Sequence, residues 1–175
     1  MKRRRSRLLS LIAGLLLAAI PPAMAQPKAA PDGGAARQAE ALKRDFFAVI
    51  EHGDPSKLLS YVPATGVNVG PQAKHLSPAD VEQQLLQHRG LYCQLFDSSC
   101  IQSGIKLDAS TRACSYRELL THSEKVRTAA TETVRSGVRQ AILVAEIKNA
   151  QCPAARLVDF IFNFEDGGWK LFSVP

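Results

Sequence analysis

Two polar aromatic side chains lie one helical turn apart on an otherwise apolar face of a predicted helix. His88 and Tyr92 share one face with Leu85 if the segment is a helix. An imidazole and a phenol beside aliphatic groups are the usual composition of a site for a small apolar ligand with one polar end. The alternative is that both rings pack at the edge of the core, with their polar atoms directed to water or to the backbone.

Two residues are candidates for a catalytic base. A lyase or an isomerase would use His88, or Asp159 on the less hydrophobic side of a predicted strand, as its general base. Cys93 lies five residues from His88 and therefore on a different helical face, which disfavours a thiol nucleophile. The sequence contains no G-x-S-x-G, H-E-x-x-H, P-loop or G-x-G-x-x-G motif. It therefore assigns no catalytic residue and predicts no cofactor.

The chain has four cysteines: Cys93, Cys100, Cys114 and Cys152. Closing the polar loop between Cys100 and Cys114 would remove about 3 kcal/mol of unfolded-state entropy. We therefore expect a disulfide between these two residues, with Cys93 bonded to Cys152. The rival hypothesis is a metal site that combines His88 with the first three cysteines. Because the C-x-x-C spacing of structural zinc sites is missing, no metal site is expected.

The first 25 residues have the order of a secretory signal peptide. A basic start precedes the apolar run 8–20, and Ala23-Met24-Ala25 has the small-x-small pattern of a cleavage site. The run is shorter than the roughly 20 residues of a membrane-spanning helix. We therefore predict a periplasmic or secreted protein with no stable membrane anchor after cleavage. Residues 26–36 are rich in Pro, Gly and Ala and are predicted to be a flexible leader, followed by one domain at 37–175.

The basic charge of the chain belongs largely to the predicted signal peptide. The net charge is +6, but five of the 22 basic residues lie before residue 26, which leaves 17 basic and 16 acidic side chains. A nearly neutral domain lacks the basic surface that nucleic acids and anionic membranes require. No nucleic-acid partner is expected.

Apolar residues recur with helical spacing in the N-terminal two thirds of the chain. Gly53 is expected to end the first helix, and Asp54 to cap the second. Ser77, followed by Pro78, is expected to start the third helix. The predicted helices are residues 36–52, a short helix from Pro55, residues 78–89 with a further turn to Phe96, and residues 115–122.

The C-terminal third changes to the period of two that is typical of strands. The predicted strands are residues 126–134, 138–148, 156–165 and 168–174, with a further short strand at 66–70. The turn Asp166-Gly167 places Phe164 opposite Trp169, Phe162 opposite Leu171 and Phe160 opposite Ser173. The face of Phe160, Phe162 and Trp169 is expected to pack on the first and third helices. Helices on one face of an antiparallel meander of three or four strands define an α+β domain.

Two segments resemble the NTF2-like superfamily, which includes SnoaL and ketosteroid isomerase. LKRDFFAVIEHGDPSKLLSYV is similar to the opening helices of such domains, and LVDFIFNFEDGGWKLFSV is similar to their closing hairpin. The resemblance implies a curved sheet wrapped on helices as a cone with an apolar pocket, often in a homodimer. No catalytic residue of the isomerase maps onto this chain.

The leading prediction is an exported, non-catalytic domain that binds a small apolar molecule or a protein partner. The ligand-binding residues would be Leu85, His88 and Tyr92. One alternative is the lyase or isomerase described above. The other is an inhibitor or immunity-type protein that acts through its surface.

Overall fold

The computed structural model describes residues 33–103, 113–152 and 157–175. The predicted signal peptide, residues 1–25, lies outside these ranges, as does the predicted leader up to residue 32. The first helix begins at Gly33, inside the predicted leader, where Arg37 Nε donates a hydrogen bond to the Gly33 carbonyl at 2.8 Å. No described helix is both long and apolar enough to cross a membrane. The helices are α1 (Gly33–His52), α2 (Pro55–Leu59), α3 (Pro78–Leu86), α4 (Leu91–Phe96), α5 (Tyr116–His122) and a 3-10 helix (Ser98–Ser103).

Capping residues set the end of α1 and the starts of α2, α3 and α5. Gly53 has φ 67° and ends α1, because its N–H and that of Asp54 bond to carbonyls of the last turn. The Asp54 side chain accepts a bond from Lys57 N at the start of α2. Ser77 and Ser115 accept from the third residue of α3 and α5, respectively.

The strands form one curved, open sheet in the order β2-β1-β6-β5-β4-β3. The meander β3 to β6 was predicted from the sequence, but β2 was not, and the sheet is mixed because β1 runs parallel to β6. Gly70 N extends this edge pairing to Val174 O at 3.0 Å. Helices on a curved sheet confirm the α+β class and match the architecture that the NTF2-like resemblance implies. The strands are β1 (Val67–Val69), β2 (Lys74–Leu76), β3 (Lys125–Arg135), β4 (Val138–Lys148), β5 (Leu157–Glu165) and β6 (Gly168–Val174).

The predicted register of the last hairpin is confirmed near the turn and wrong beyond it. Phe164 lies opposite Trp169 and Phe162 opposite Leu171, as expected. A β-bulge then shifts the strands, so that Ile161, and not Phe160, lies opposite Ser173. The bulge inserts Phe172 as an extra residue in β6, where its side chain is exposed on the outer face of the sheet.

Aromatic rings fill the space between α1 and the inner face of the sheet. Phe46 of α1 lies 5.0 Å from Phe160 and 4.9 Å from Phe162 between ring centroids. These three side chains are 0 to 1% exposed. The prediction that the Phe160 and Phe162 face packs on the first helix is therefore confirmed. The third helix does not lie there: α3 packs against α2, α4 and β2.

The predicted disulfide pairing is wrong, although all four cysteines are bonded. Cys93 pairs with Cys100, and Cys114 pairs with Cys152, with Cα–Cα distances of 5.4 and 6.3 Å. The 3-10 helix after α4 turns the chain back, which brings Cys100 beside Cys93. Cys114 precedes α5 and Cys152 follows β4, and Asn149 Nδ2 donates to Ser123 Oγ at 3.0 Å, which joins the end of β4 to the C-terminal end of α5.

The predicted long third helix is broken into α3 and α4. The N–H of His88 bonds to Leu85 O and the N–H of Arg89 to Gln84 O, which is the Schellman pattern of a helix end. His88 occupies the left-handed position of this motif, with φ 50°. The helical spacing of apolar residues therefore continues from α3 into α4, although the helix itself is interrupted between Leu86 and Leu91.

Candidate functional site

A cleft of about 570 Å³ separates the β1–β2 hairpin from the turn between α3 and α4. This volume falls within the range of roughly 300–1,000 Å³ that is usual for small-molecule sites. Its walls combine aliphatic side chains, two amides, one disulfide and two cations. The lining residues are Val69, Lys74, Leu76, Gln84, Arg89, Gly90, Leu91, Cys93, Gln94, Cys100 and Ile101.

The hairpin wall depends on a glycine at a position where a side chain would not fit. Gly66 has φ 89°, and a Cβ there would collide with the carbonyl oxygen of Leu76. Because β1 also pairs with β6, the hairpin is attached to the sheet and holds Lys74 opposite Val69. The position of Lys74 is therefore determined by the pairing of its edge strand with β1, which β6 holds from the other side.

The opposite wall is the turn that follows the end of α3. Gln84 Oε1 accepts a hydrogen bond from Leu91 N at 2.8 Å, which joins α3 to the first residue of α4. Gly90 lies directly against this amide and has φ 53° and ψ −110°. Only glycine adopts this backbone conformation without strain.

We expect the exchange Gly90→Ala to destabilise the domain more than Gly70→Ala. Both glycines have positive φ, so each exchange costs about 1 kcal/mol or more, and the cost is higher at Gly90 because its ψ of −110° lies outside the left-handed region. At Gly90 the new Cβ would also collide with Gln84 and displace its bond to Leu91, whereas at Gly70 it meets open space. Urea denaturation of both variants measures the difference, and equal losses would show that the contact between Gly90 and Gln84 does not shape this wall.

The third wall is held by the disulfide between Cys93 and Cys100. This bond ties the 3-10 helix, and with it Ile101, to α4. The next residue of α4, Gln94, donates a hydrogen bond from Nε2 to Pro175 O at 2.6 Å. Tyr116 donates to the same oxygen at 3.1 Å, and burial raises the pKa of its phenol. The disulfide wall is thus connected to the end of β6.

The cleft has a positive electrostatic character. Lys74 and Arg89 line it, and neither side chain makes a hydrogen bond or an ion pair with any residue in the described ranges. Asp80, whose carboxylate acts on both cations electrostatically, bonds to Ser77 N at 3.2 Å and to Ser77 Oγ at 2.6 Å. These hydrogen bonds hold the pKa of Asp80 below its usual value.

The residues predicted from the sequence to bind a ligand do not line this cleft. Leu85 is 3% exposed and belongs to the core, while His88 is exposed at the end of α3. The rings of His88 and Tyr92 are stacked, with centroids 4.1 Å apart. The predicted contact between these two rings is therefore present, but it lies at the surface because His88 is outside the helix. Asp159 is exposed on the outer face of the sheet.

A second cleft, of about 470 Å³, lies beside α1 and α2 and gathers titratable side chains of both signs. His52 Nδ1 lies 2.6 Å from Ala48 O, so it acts as the donor and leaves Nε2 as an acceptor. Burial raises the pKa of Tyr61, and the carboxylate of Asp45 adds to this effect.

The cleft beside the β1–β2 hairpin was not predicted from the sequence. Lys74 belongs to a three-residue strand that lacks a strong sequence signal, and Arg89 appeared to be an ordinary residue near a helix end. The one available signal was the short strand predicted at residues 66–70, which corresponds to β1. Its distance in sequence from Arg89 concealed the cleft.

Comparisons with known proteins found similar solved structures but no related sequence. No family model matches the sequence, and neither does any curated protein. Among solved structures, the chain is similar to a protein named Rd1NTF2_05 that carries five substitutions. The TM-score is 0.42 at 12% identity, with 77% of this chain and 92% of that chain covered. At these values the similarity establishes neither family membership nor function.

Proposed function

We propose that this protein is an exported, non-catalytic binding module of the NTF2-like superfamily, and that it holds a small molecule with an apolar body in the cleft beside the β1–β2 hairpin. The observation that carries the proposal is the cleft itself. Val69, Leu76 and Ile101 supply aliphatic walls, and Lys74, Arg89 and two glutamines supply polar groups. A concave site of this volume that joins apolar walls to polar groups can bury and orient a small molecule.

Export is supported by the state of the cysteines. Both disulfides are of the kind that forms and persists in oxidising compartments, and the described cysteines include no free thiol. The order of the first 25 residues is that of a cleaved signal. A periplasmic or extracellular location accounts for both features.

The binding site differs from the one that a hollow cone would offer. In this chain, Phe46, Phe160 and Phe162 occupy the space beneath the sheet. The cleft lies instead at the edge of the sheet, where β1 and β2 extend it. The ligand would therefore contact the hairpin and the turn after α3, and not the inner face.

Titration of residues 26–175 with 1-octanol tests the proposal. We expect the amide resonances of Val69, Leu76 and Leu91 to shift on saturation, because these residues line the cleft. Amides at the centre of β4 and β5, such as Leu143 and Phe160, serve as the internal control and should remain unchanged. Shifts confined to the control amides, or none at any accessible concentration of 1-octanol, would contradict the proposed function.

A further inference from the structure

We propose that the cleft selects ligands with one anionic group at the end of an apolar body, and that Lys74 and Arg89 together bind the anion. The proposal rests on the proposed function and names the class of ligand. An alkyl or aryl carboxylate is the simplest molecule with this chemistry.

The first argument is the charge of the lining. Among the described residues, those that line the cleft include two cations and no carboxylate. The cleft beside α1 and α2 differs, because Asp45 and Asp54 line it together with Lys57. A ligand that places an anion in the first cleft meets attraction from both lining cations, and the charged Asp80, which is not among the lining residues, opposes this attraction in part.

The second argument is that neither cation forms a hydrogen bond or an ion pair with a described residue. Elsewhere in the described chain, Arg139 binds Glu132 and Lys148 binds Glu124. Asp80 acts on Lys74 and Arg89 electrostatically, but its Oδ2 is held by the N–H and the hydroxyl of Ser77. An incoming carboxylate would therefore break no ion pair of the protein.

The third argument is that the backbone places both cations before a ligand arrives. Lys74 pairs with Val69 in the hairpin, and the N–H of Arg89 bonds to Gln84 O at 3.0 Å. Gln84 uses its side-chain oxygen for Leu91, which leaves its NH₂ group as a further donor. The fixed backbone limits the ordering cost of binding to the side chains of the two cations.

The apolar part of the ligand has a defined place. Val69 and Ile101 are half-buried and Leu76 is 6% exposed, so aliphatic surface lies beside the cations. A ligand with charge alone would leave this surface wet, and a ligand with an alkyl chain alone would leave the cations unpaired. The cleft therefore favours a ligand that has both an alkyl chain and an anionic group over a ligand that has only one of them.

Three probes with the same eight-carbon chain test the selection: octanoate, 1-octanol and octylammonium. We expect octanoate to bind about tenfold more tightly than 1-octanol, and octylammonium to bind more weakly than both. Amide shifts on residues 26–175 with intact disulfides report the affinity and the location of each probe.

Variants then assign the preference to the two cations. Lys74→Ala and Arg89→Ala should each weaken octanoate binding several-fold while 1-octanol binding is unchanged, and the double variant should bind both probes equally. Lys125→Ala and Arg135→Ala, at the ends of β3, remove the same charge without touching the cleft and should leave the preference intact.

The failure of this inference is distinguishable from failure of the proposed function. Equal affinities for octanoate and 1-octanol at the cleft would overturn the anion selection and leave the binding function standing. A preference for octanoate that survives in the double variant would also overturn it. If no probe binds at the cleft, the proposed function and the inference are both wrong.

Discussion

Replacement of Phe162 by alanine is expected to lower the free energy of unfolding by about 3–5 kcal/mol. Phe162 has no exposed surface, and its ring contacts Phe46 and Tyr61 at centroid distances of 4.9 and 5.8 Å. Alanine would remove these contacts and leave a cavity between α1 and the sheet. Urea denaturation followed by the fluorescence of Trp169, the single tryptophan, measures the loss.

Phe172→Ala is the matched control, because it removes the same side chain from the other face of the sheet. Phe172 is 40% exposed at the bulge of β6, so its removal should change the free energy of unfolding by much less, about 1 kcal/mol or below. Equal losses from the two variants would show that the faces of the last hairpin are assigned incorrectly.

Removal of the Cys114–Cys152 disulfide is expected to cost about 4 kcal/mol. The two cysteines are 38 residues apart in sequence, and the bond between them restricts a large part of the unfolded chain. Exchange of both cysteines for alanine, compared with the parent protein in urea, measures the effect. Cys152 is 3% exposed, so some loss of packing adds to the entropic cost.

The Cys93–Cys100 disulfide provides the comparison. It closes a separation of only seven residues, so its removal should cost about 2 kcal/mol. Proteolytic fragments of the nonreduced protein should contain these two pairs and no other. A bond between Cys100 and Cys114, or a larger loss from the shorter loop, would contradict the connectivity.

Much of the fold could be predicted because local chemistry determined it. Gly53 ends α1 because glycine adopts the left-handed conformation without strain, and Asp166-Gly167 forms the tight turn of the last hairpin for the same reason. The alternation of Phe160, Phe162 and Phe164 identified the inner face of β5. In each case the residues that decide the structure are neighbours in sequence.

The disulfide pairing could not be predicted by the same means. Loop-closure entropy estimates the value of a bond once it forms, but it does not say which cysteines meet. That depends on the reversal of the chain after α4 and on the meeting of α5 with the end of β4. Both are tertiary features, which cannot be predicted from the spacing of the cysteines in the sequence.

The break between α3 and α4 was missed for a different reason. Helical periodicity continues from Leu85 through Tyr92, so the apolar pattern alone favours one helix. His88 ends it in a left-handed conformation that is uncommon for a residue other than glycine. Because this break directs Arg89 toward the β1–β2 hairpin, missing it also concealed the cleft.

The most direct test of the binding cleft is a measurement of intermolecular nuclear Overhauser effects between octanoate and residues 26–175. Binding in the cleft predicts cross-peaks from the alkyl protons of octanoate to the methyl groups of Val69, Leu76 and Ile101. Cross-peaks to the rings of His88 and Tyr92, or to Phe160 and Phe162 on the inner face, without any to these methyl groups, would contradict it.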